Sequence, residues 1–402
     1  MRARRLVIPL CLIAGIGVFL MTRHGADSPT STASYLHTEG TRIIDSEGHT
    51  VQLTGYNVVG MDSNNPEGTA RPGICHDGYK PVGPRAADIL AGYGLHTVRV
   101  AVAWGNVEPR APTVTGGGGI VHHWNAPYLQ ALAYEIGLLG AHHISVILDM
   151  QESYWSPAFT SPASSKVPGC PGSGMPVWLN PLAQQETYQT AACKFYSGVT
   201  EPGVPGTAWS DFAAAESYLD HQYLGDPTVI GQDLVNEPFC YSPSADLEKF
   251  YSYVAPIVHR SNPHLLLVLE DRDGPGTFAV TSLPRVPGIV LSVHLKESNW
   301  NDPSQQQPGQ EYSGLQAVTA DLRRSETLGV PLYVGEFYAF DGVHSQANSI
   351  KQDTAWQQDT AAFLQFAAVH HVSWTYWAFL QKAHPRRQPY ISPALIRILQ
   401  NG

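Results

Sequence analysis

Two short runs in this 402-residue chain place a glutamate where chemistry can be done: Asp233-Leu234-Val235-Asn236-Glu237-Pro238 and Tyr333-Val334-Gly335-Glu336-Phe337. Each run closes an apolar, β-branched stretch, so each carboxylate stands at the C-terminal end of an expected strand. Two facing carboxyls, one protonated and one ionised, can protonate a leaving oxygen and attack the carbon that it leaves. That is the equipment for opening an acetal, and with retained configuration the two groups stand about 5 to 5.5 Å apart. Asn-Glu-Pro alone can arise by chance. Its weight comes from the strand end that it occupies, the second glutamate and an aromatic run near residue 377. Glu108, Glu152 and Glu270 are rival carboxylates, expected as hydrogen-bond partners to sugar or loop.

Eight apolar or β-branched runs recur, over residues 51–59, 97–103, 144–150, 229–235, 265–269, 289–293, 331–334 and 372–377. Helical patterns lie between and after them, over residues 85–93, 126–139, 212–223, 245–260, 315–327, 349–370 and 392–400. Strands separated by helices imply parallel βαβ units, and eight units close into a single α/β domain, a (β/α)8 or TIM barrel. The 99 residues between Glu237 and Glu336 span three units at 33 each, close to the roughly 31 of a 250-residue barrel. The glutamates therefore fall on strands four and seven. Residues 41–48 read as a small hairpin turning at Glu47-Gly48 and plugging the bottom of the barrel.

Two long connections, 105–121 after the second strand and 151–207 after the third, are expected to wall a cleft on the catalytic face. Trp104, Trp124, Trp155, Trp178 and Trp300 fall in such loops, where each either stacks on sugar or anchors packing. His142-His143 and His370-His371 close helices at the opposite end, so helix termination is expected of them and metal binding is not. No His-Glu-x-x-His and no Gly-x-Ser-x-Gly occurs, and no cysteine spacing fits a zinc template.

Charged residues make up 14 % and hydrophobic ones 43 %, which excludes a disordered chain. A formal charge of −10 without a basic stripe excludes nucleic acid as the partner. Arg2, Arg4 and Arg5 precede an apolar run over 6–21 and then a polar, small-residue stretch. Residues 1–34 are therefore expected to be a secretory signal or an uncleaved N-terminal anchor plus linker, with 35–402 the catalytic domain, secreted or held outside the cytoplasm. Cys11 lies inside the apolar run. Cys75, Cys170, Cys193 and Cys240 suit two disulfides, for which three connectivities stand open. Cys170–Cys193 with Cys75–Cys240 is the expected one.

The chain resembles family 5 of the glycoside hydrolases, in the clan of barrels with glutamates on strands four and seven. The resemblance rests on residues 40–48, Leu53-Thr54-Gly55-Tyr56-Asn57, Val98-Arg99-Val100, Trp104 through Glu108-Pro109 and the two glutamate runs, and it covers most of residues 38–398. It implies Glu237 as acid/base with Asn236 beside it for the sugar 2-hydroxyl. It likewise implies Glu336 as nucleophile, Arg99 and His294 as its support and Trp377 as the platform under the reacting sugar. Two positions depart from the family pattern. Gln151 follows the third strand in place of a histidine, and His294-Leu295-Lys296 replaces His-x-Tyr after the sixth. Lys296 either reaches Glu336 or points to solvent.

Residues 149–156 and Gly174-Met175-Pro176-Val177-Trp178-Leu179 are similar to the endoglycoceramidase branch. The chain ends with its eighth helix and is expected to lack that branch's additional β domain. The expected protein is a monomeric, exported, retaining β-glycosidase needing neither cofactor nor metal. It would act on a β-linked glucan or related oligo- or polysaccharide. A glycolipid-directed or mannan-directed hydrolase and a non-catalytic sugar-binding barrel are the alternatives.

Overall fold

The structure is a computed structural model that describes residues 35–64, 78–163, 169–240, 244–271, 280–295, 314–337, 355–380 and 393–401. The N-terminal 1–34 segment, Cys11, Cys75, Lys296 and Trp300 lie outside the described residues.

Three short antiparallel strands come first: β1 (His37–Glu39), β2 (Arg42–Ile44) and β3 (Thr50–Val51). The expected single hairpin is thus a three-stranded sheet, whose second turn holds Glu47-Gly48, with Gly48 at φ 87°. Asp45 fixes that turn by accepting the backbone N–H groups of Glu47 and His49, both at 2.9 Å. Ile43 of this sheet packs with Ile147, Ile230, Leu266 and Val290 from the barrel strands, so the sheet does plug the barrel's N-terminal end.

The barrel follows. Its strands are β4 (Thr54–Met61), β5 (Thr97–Val102), β8 (Ser145–Met150), β9 (Val229–Asp233), β10 (Leu266–Glu270), β11 (Ile289–Leu295), β12 (Leu332–Phe337) and β13 (Ser373–Leu380). All pair in parallel in sequence order, and β13 closes on β4. β5 shows the logic in six residues: Val98, Val100 and Val102 pack outward under the helices, while Arg99 on the alternate face enters the barrel. The two remaining strands, β6 (Thr113–Val114) and β7 (Ile120–Val121), form a hairpin in the loop after β5.

Helices return the chain between strands. Helix α1 (Pro84–Gly92) opens with a proline. The one-turn α2 (Trp104–Val107) follows β5 directly, and Asn125 then caps α3 (Ala126–Ala141) by accepting from the Tyr128 N–H. His143 and His371 take left-handed conformations, φ 58° and 54°, where α3 and the helix Ala355–His370 stop. The histidine pairs are thus helix terminators.

An unexpected helix, α4 (Tyr188–Tyr196), sits inside the long connection after β8. Thr187 caps it, and Ala191, Ala192, Phe195 and Tyr196 bury its inner face. Beyond it come α5 (Ala208–His221), closed by a Thr207/Ser210 capping box, and α6 (Ser244–Ser261). Cys193 of α4 is bonded to Cys240, which corrects the expected Cys170–Cys193 and Cys75–Cys240 pairing. The reason is tertiary: α4 carries Cys193 away from its own loop and against the segment leaving β9. Cys170 is disulfide-bonded as well.

Candidate functional site

Strand register assembles the site in one ring. Asn57 on β4 is level with Arg99 on β5, Asp149 on β8 with Asp233 on β9, and His294 on β11 with Glu336 on β12. Glu270 ends β10 opposite Ser292, two residues before His294 on β11. Register shifts at Val293/His294, between Val334 and Phe337 and between Tyr376 and Phe379 bend the rim where the reactive groups emerge.

Arg99 is fully buried and organises this ring. Its Nε donates to Asp233 at 2.9 Å, and its Nη1 to Asn57 and Glu336, both at 3.1 Å. Nη2 serves Asp149 at 2.9 Å, Asn236 Oδ1 at 3.0 Å and Glu270 at 2.7 Å. Four carboxyl groups around one guanidinium cannot all be ionised cheaply in a buried site. Burial drives Asp149 and Asp233 well above the ordinary aspartate range in spite of Arg99. Burial would also raise Glu270, but His294 and Arg99 outweigh it and hold that carboxyl below the ordinary glutamate range.

His294 lies between the two catalytic candidates. Its Nδ1 is 3.0 Å from Glu237 Oε1 and 3.7 Å from Glu336 Oε2, and its Nε2 is 2.7 Å from Glu270 Oε1. Burial would strip its proton, yet Glu270 and Glu336 reverse this and keep the ring charged. Glu336 is pushed up to about 7 by burial, with Glu237 and Glu270 adding to the rise while His294 and Arg99 oppose it. A closely approaching oxygen of Glu237, a nitrogen of His294 and an oxygen of Glu336 all lie within 4.8 Å of one another. These are metal-ligand atom types at a suitable spacing.

The two glutamates differ in surroundings. The Glu237 side chain is 23 % exposed and that of Glu336 only 3 %. Glu237 holds a left-handed backbone, φ 42°, uncommon for a side-chain-bearing residue, and its N–H donates to Glu270 Oε2 at 2.6 Å. Gly335 must lack a side chain for a different reason: a Cβ there would lie 2.7 Å from Ser292 Oγ and 3.0 Å from His294 Nε2.

Of the sequence candidates, Glu237, Glu336, Arg99, Asn236 and His294 come together. Gln151 follows β8 directly, 7 % exposed, with its Oε1 buried and unpartnered. Trp377 is half-buried on β13, and its peptide bond to Ala378 is cis. Glu108 binds His122 at 3.0 Å and the His123 N–H at 3.0 Å, and Glu152 accepts the Trp155 N–H at 2.9 Å; both are loop-holding groups. Trp104 and Trp155 are core anchors at 0 % and 1 % exposure. Trp124 stacks between His122 and Tyr218, and Trp178 donates its indole N–H to Glu108 O at 2.9 Å. Sequence reasoning missed Asp149 and Asp233 as Arg99 partners. The available signal was an acidic residue ending an otherwise apolar strand, which demands a buried cation.

The family model for cellulase, glycosyl hydrolase family 5, matches residues 44–383. The chain belongs to glycosyl hydrolase family 5. Within that family it is similar to endoglycoceramidase I of Rhodococcus hoagii, with 25 % identity over 223 residues. That match takes in 52 % of this chain but only 38 % of the relative's length. Among solved structures it shares the fold of an endogalactoceramidase, with a TM-score of 0.64, 22 % identity, and 86 % of this chain and 75 % of that one covered. The ganglioside GM3 complex of endo-glycoceramidase II from Rhodococcus sp. gives a TM-score of 0.62 at 17 % identity, covering 90 % and 81 %. These family 5 barrels share the closed eight-stranded architecture described above.

Proposed function

We propose that this family 5 chain is a retaining β-glycoside hydrolase, with Glu336 as nucleophile and Glu237 as acid/base, that releases a glycan from a glycolipid. The observation that carries the chemistry is that one carboxyl oxygen of Glu237 lies within 4.8 Å of one of Glu336. An inverting pair would need about 6.5 to 9.5 Å, to leave room for a water between them.

In the first half of the reaction, a Glu336 oxygen attacks the anomeric carbon. The bond from that carbon to the aglycone oxygen breaks as Glu237 gives that oxygen its proton, leaving a glycosyl ester and a free alcohol. In the second half, Glu237 takes a proton from water, whose oxygen attacks the same carbon. The ester bond breaks, Glu336 returns as a carboxylate, Glu237 is again protonated and the sugar leaves with its original configuration. Arg99 and charged His294 stabilise the ionised Glu336. Asn236, fixed by Arg99, faces the sugar 2-hydroxyl, and the unpartnered Gln151 oxygen accepts a sugar hydroxyl. Trp377 supplies the stacking platform.

The glycolipid reading is supported by similarity to endoglycoceramidase I, and a β-glucan is the second reading, supported by the cellulase family model. The Cys193–Cys240 bond supports a place outside the cytoplasm. A 2-deoxy-2-fluoro β-glycoside with a good leaving group tests the mechanism: the label should fall on Glu336 alone, and label on Glu108, Glu152 or Glu270, or an inverted product, refutes it. Product analysis on glycosphingolipids beside glucans, mannans and xylans tests the substrate, and release of sugar from polysaccharide only refutes the glycolipid reading.

A further inference from the structure

Glu270 has no part in the double displacement, yet both of its carboxylate oxygens are engaged by groups of the site. Oε2 accepts the main-chain N–H of Glu237 at 2.6 Å, and Oε1 accepts Arg99 Nη2 at 2.7 Å and lies 2.7 Å from His294 Nε2. Its side chain is 3 % exposed, so no substrate is needed to explain these contacts and little water competes for them. Its own main-chain oxygen accepts the Tyr251 hydroxyl at 2.7 Å, which ties the end of β10 to α6.

We propose that Glu270 is a positioning residue for the acid/base: one buried carboxylate clamps the backbone of Glu237 and the imidazole that touches the Glu237 side chain. Three observations on different atoms converge on this. The Glu237 backbone is left-handed, a conformation that surrounding contacts must impose, and the Glu270 bond is made to that residue's own N–H. His294 is in ion-pair contact with Glu270 through Nε2, 2.7 Å from Oε1, while its Nδ1 lies 3.0 Å from Glu237 Oε1. Arg99, bonded to the same Glu270 oxygen, also holds Glu336, so the clamp fixes the acid/base relative to the nucleophile. Uncharged or shorter side chains break the clamp. A glutamine at 270 replaces one acceptor oxygen with a donor, so either the Glu237 N–H or the Arg99/His294 pair loses its acceptor. An aspartate keeps the charge but falls one methylene short.

The inference rests on Glu237 being the acid/base, so the experiment carries a control for that assignment. Glu270→Gln, Glu270→Asp and Glu237→Ala are compared with the parent on the 2,4-dinitrophenyl and phenyl β-glycosides of glucose, galactose, lactose and cellobiose, using the sugar that the parent cleaves fastest. Proton donation matters for phenol and little for dinitrophenol, and it is worth about 100- to 10,000-fold. Both Glu270 variants should therefore lose about 10- to 100-fold more kcat/KM on the phenyl than on the dinitrophenyl substrate. A merely structural residue would lower both alike. The Asp variant keeps the buried negative charge, so it decides the matter if the Gln variant does not fold. Equal losses on both substrates in Glu270→Asp, with the leaving-group bias present in Glu237→Ala, overturn the clamp and leave the acid/base assignment standing. Absence of that bias in Glu237→Ala overturns the assignment, and the clamp with it.

Discussion

The Nη1 of Arg99 lies 3.1 Å from Oε1 of Glu336, and the same guanidinium answers three further carboxyls. Because its charge is shared so widely, Arg99 does not bring Glu336 down to the ordinary glutamate range: burial leaves that carboxyl at about 7. On the proposed assignment Glu336 is the nucleophile and must be ionised, so activity should be lost as pH falls through this value. The kcat/KM profile of the free enzyme should show an acidic limb with its midpoint near 7, and a midpoint near the ordinary 4.5 would contradict the burial argument.

On the proposed assignment of Glu237 as proton donor, its removal should separate substrates by leaving group. Glu237→Ala should lose several orders of magnitude on natural substrates and phenyl glycosides, and less on dinitrophenyl glycosides. Added azide should restore part of the turnover and give a β-glycosyl azide, which nuclear magnetic resonance identifies. An α-azide, or no rescue, would count against the assignment.

Gly335 and His294 are neighbours across β12 and β11, and a methyl group on the glycine would push on the ring. Gly335→Ala should cost about 1–3 kcal/mol of stability by overpacking. It should also lower kcat/KM at least tenfold by displacing His294 from Glu237. Thermal unfolding read beside kinetics checks both, and parental activity would show that the imidazole position is not critical.

The disulfide between Cys193 and Cys240 closes a chain separation of 47 residues and lies three residues beyond Glu237. On the chain-entropy account, a loop of that length contributes about 4 kcal/mol. The double variant Cys193→Ala/Cys240→Ala should therefore unfold several degrees earlier than the parent. Its Tm should also stop responding to this bond's reduction, and an unchanged Tm would show that the bridge adds nothing to stability.

Glu135 on α3 supplies a stability prediction. Only one of its oxygens is bonded, to the Val82 N–H at 2.9 Å, and burial raises its carboxyl to about 8. The folded state therefore holds a proton that the unfolded chain releases near 4.5, so stability is full below 4.5 and declines as pH rises towards 8. Tm should fall across that window. Glu135→Gln, which mimics the protonated form, should flatten its share of the slope, and a slope identical to the parent's would refute it.

Much of this protein was legible locally. A short apolar run rich in β-branched residues marks a strand buried on both faces, and a series of such strands alternating with helices points to one closed parallel solution. Glu237 and Glu336 were legible because barrel geometry ties strand number to chain length. The histidine pairs were legible as helix ends, because helix termination is settled within a few residues.

What tertiary structure alone decided is non-local. Glu270 closes a short apolar run much as any strand-terminal residue would. Only register and the left-handed turn at Glu237 put its two oxygens against the Glu237 N–H, Arg99 and His294. Asp149 and Asp233 became partners of one guanidinium only when β5, β8 and β9 lay side by side. The disulfide went the same way, since along the chain Cys193 is nearer Cys170 than Cys240, which is 47 residues away. Helix α4 had first to fold out of the loop and pack beside the segment leaving β9. Propensity, capping and alternation act over a few residues, whereas contacts across the barrel exist only after closure has fixed which strands are neighbours and at what height.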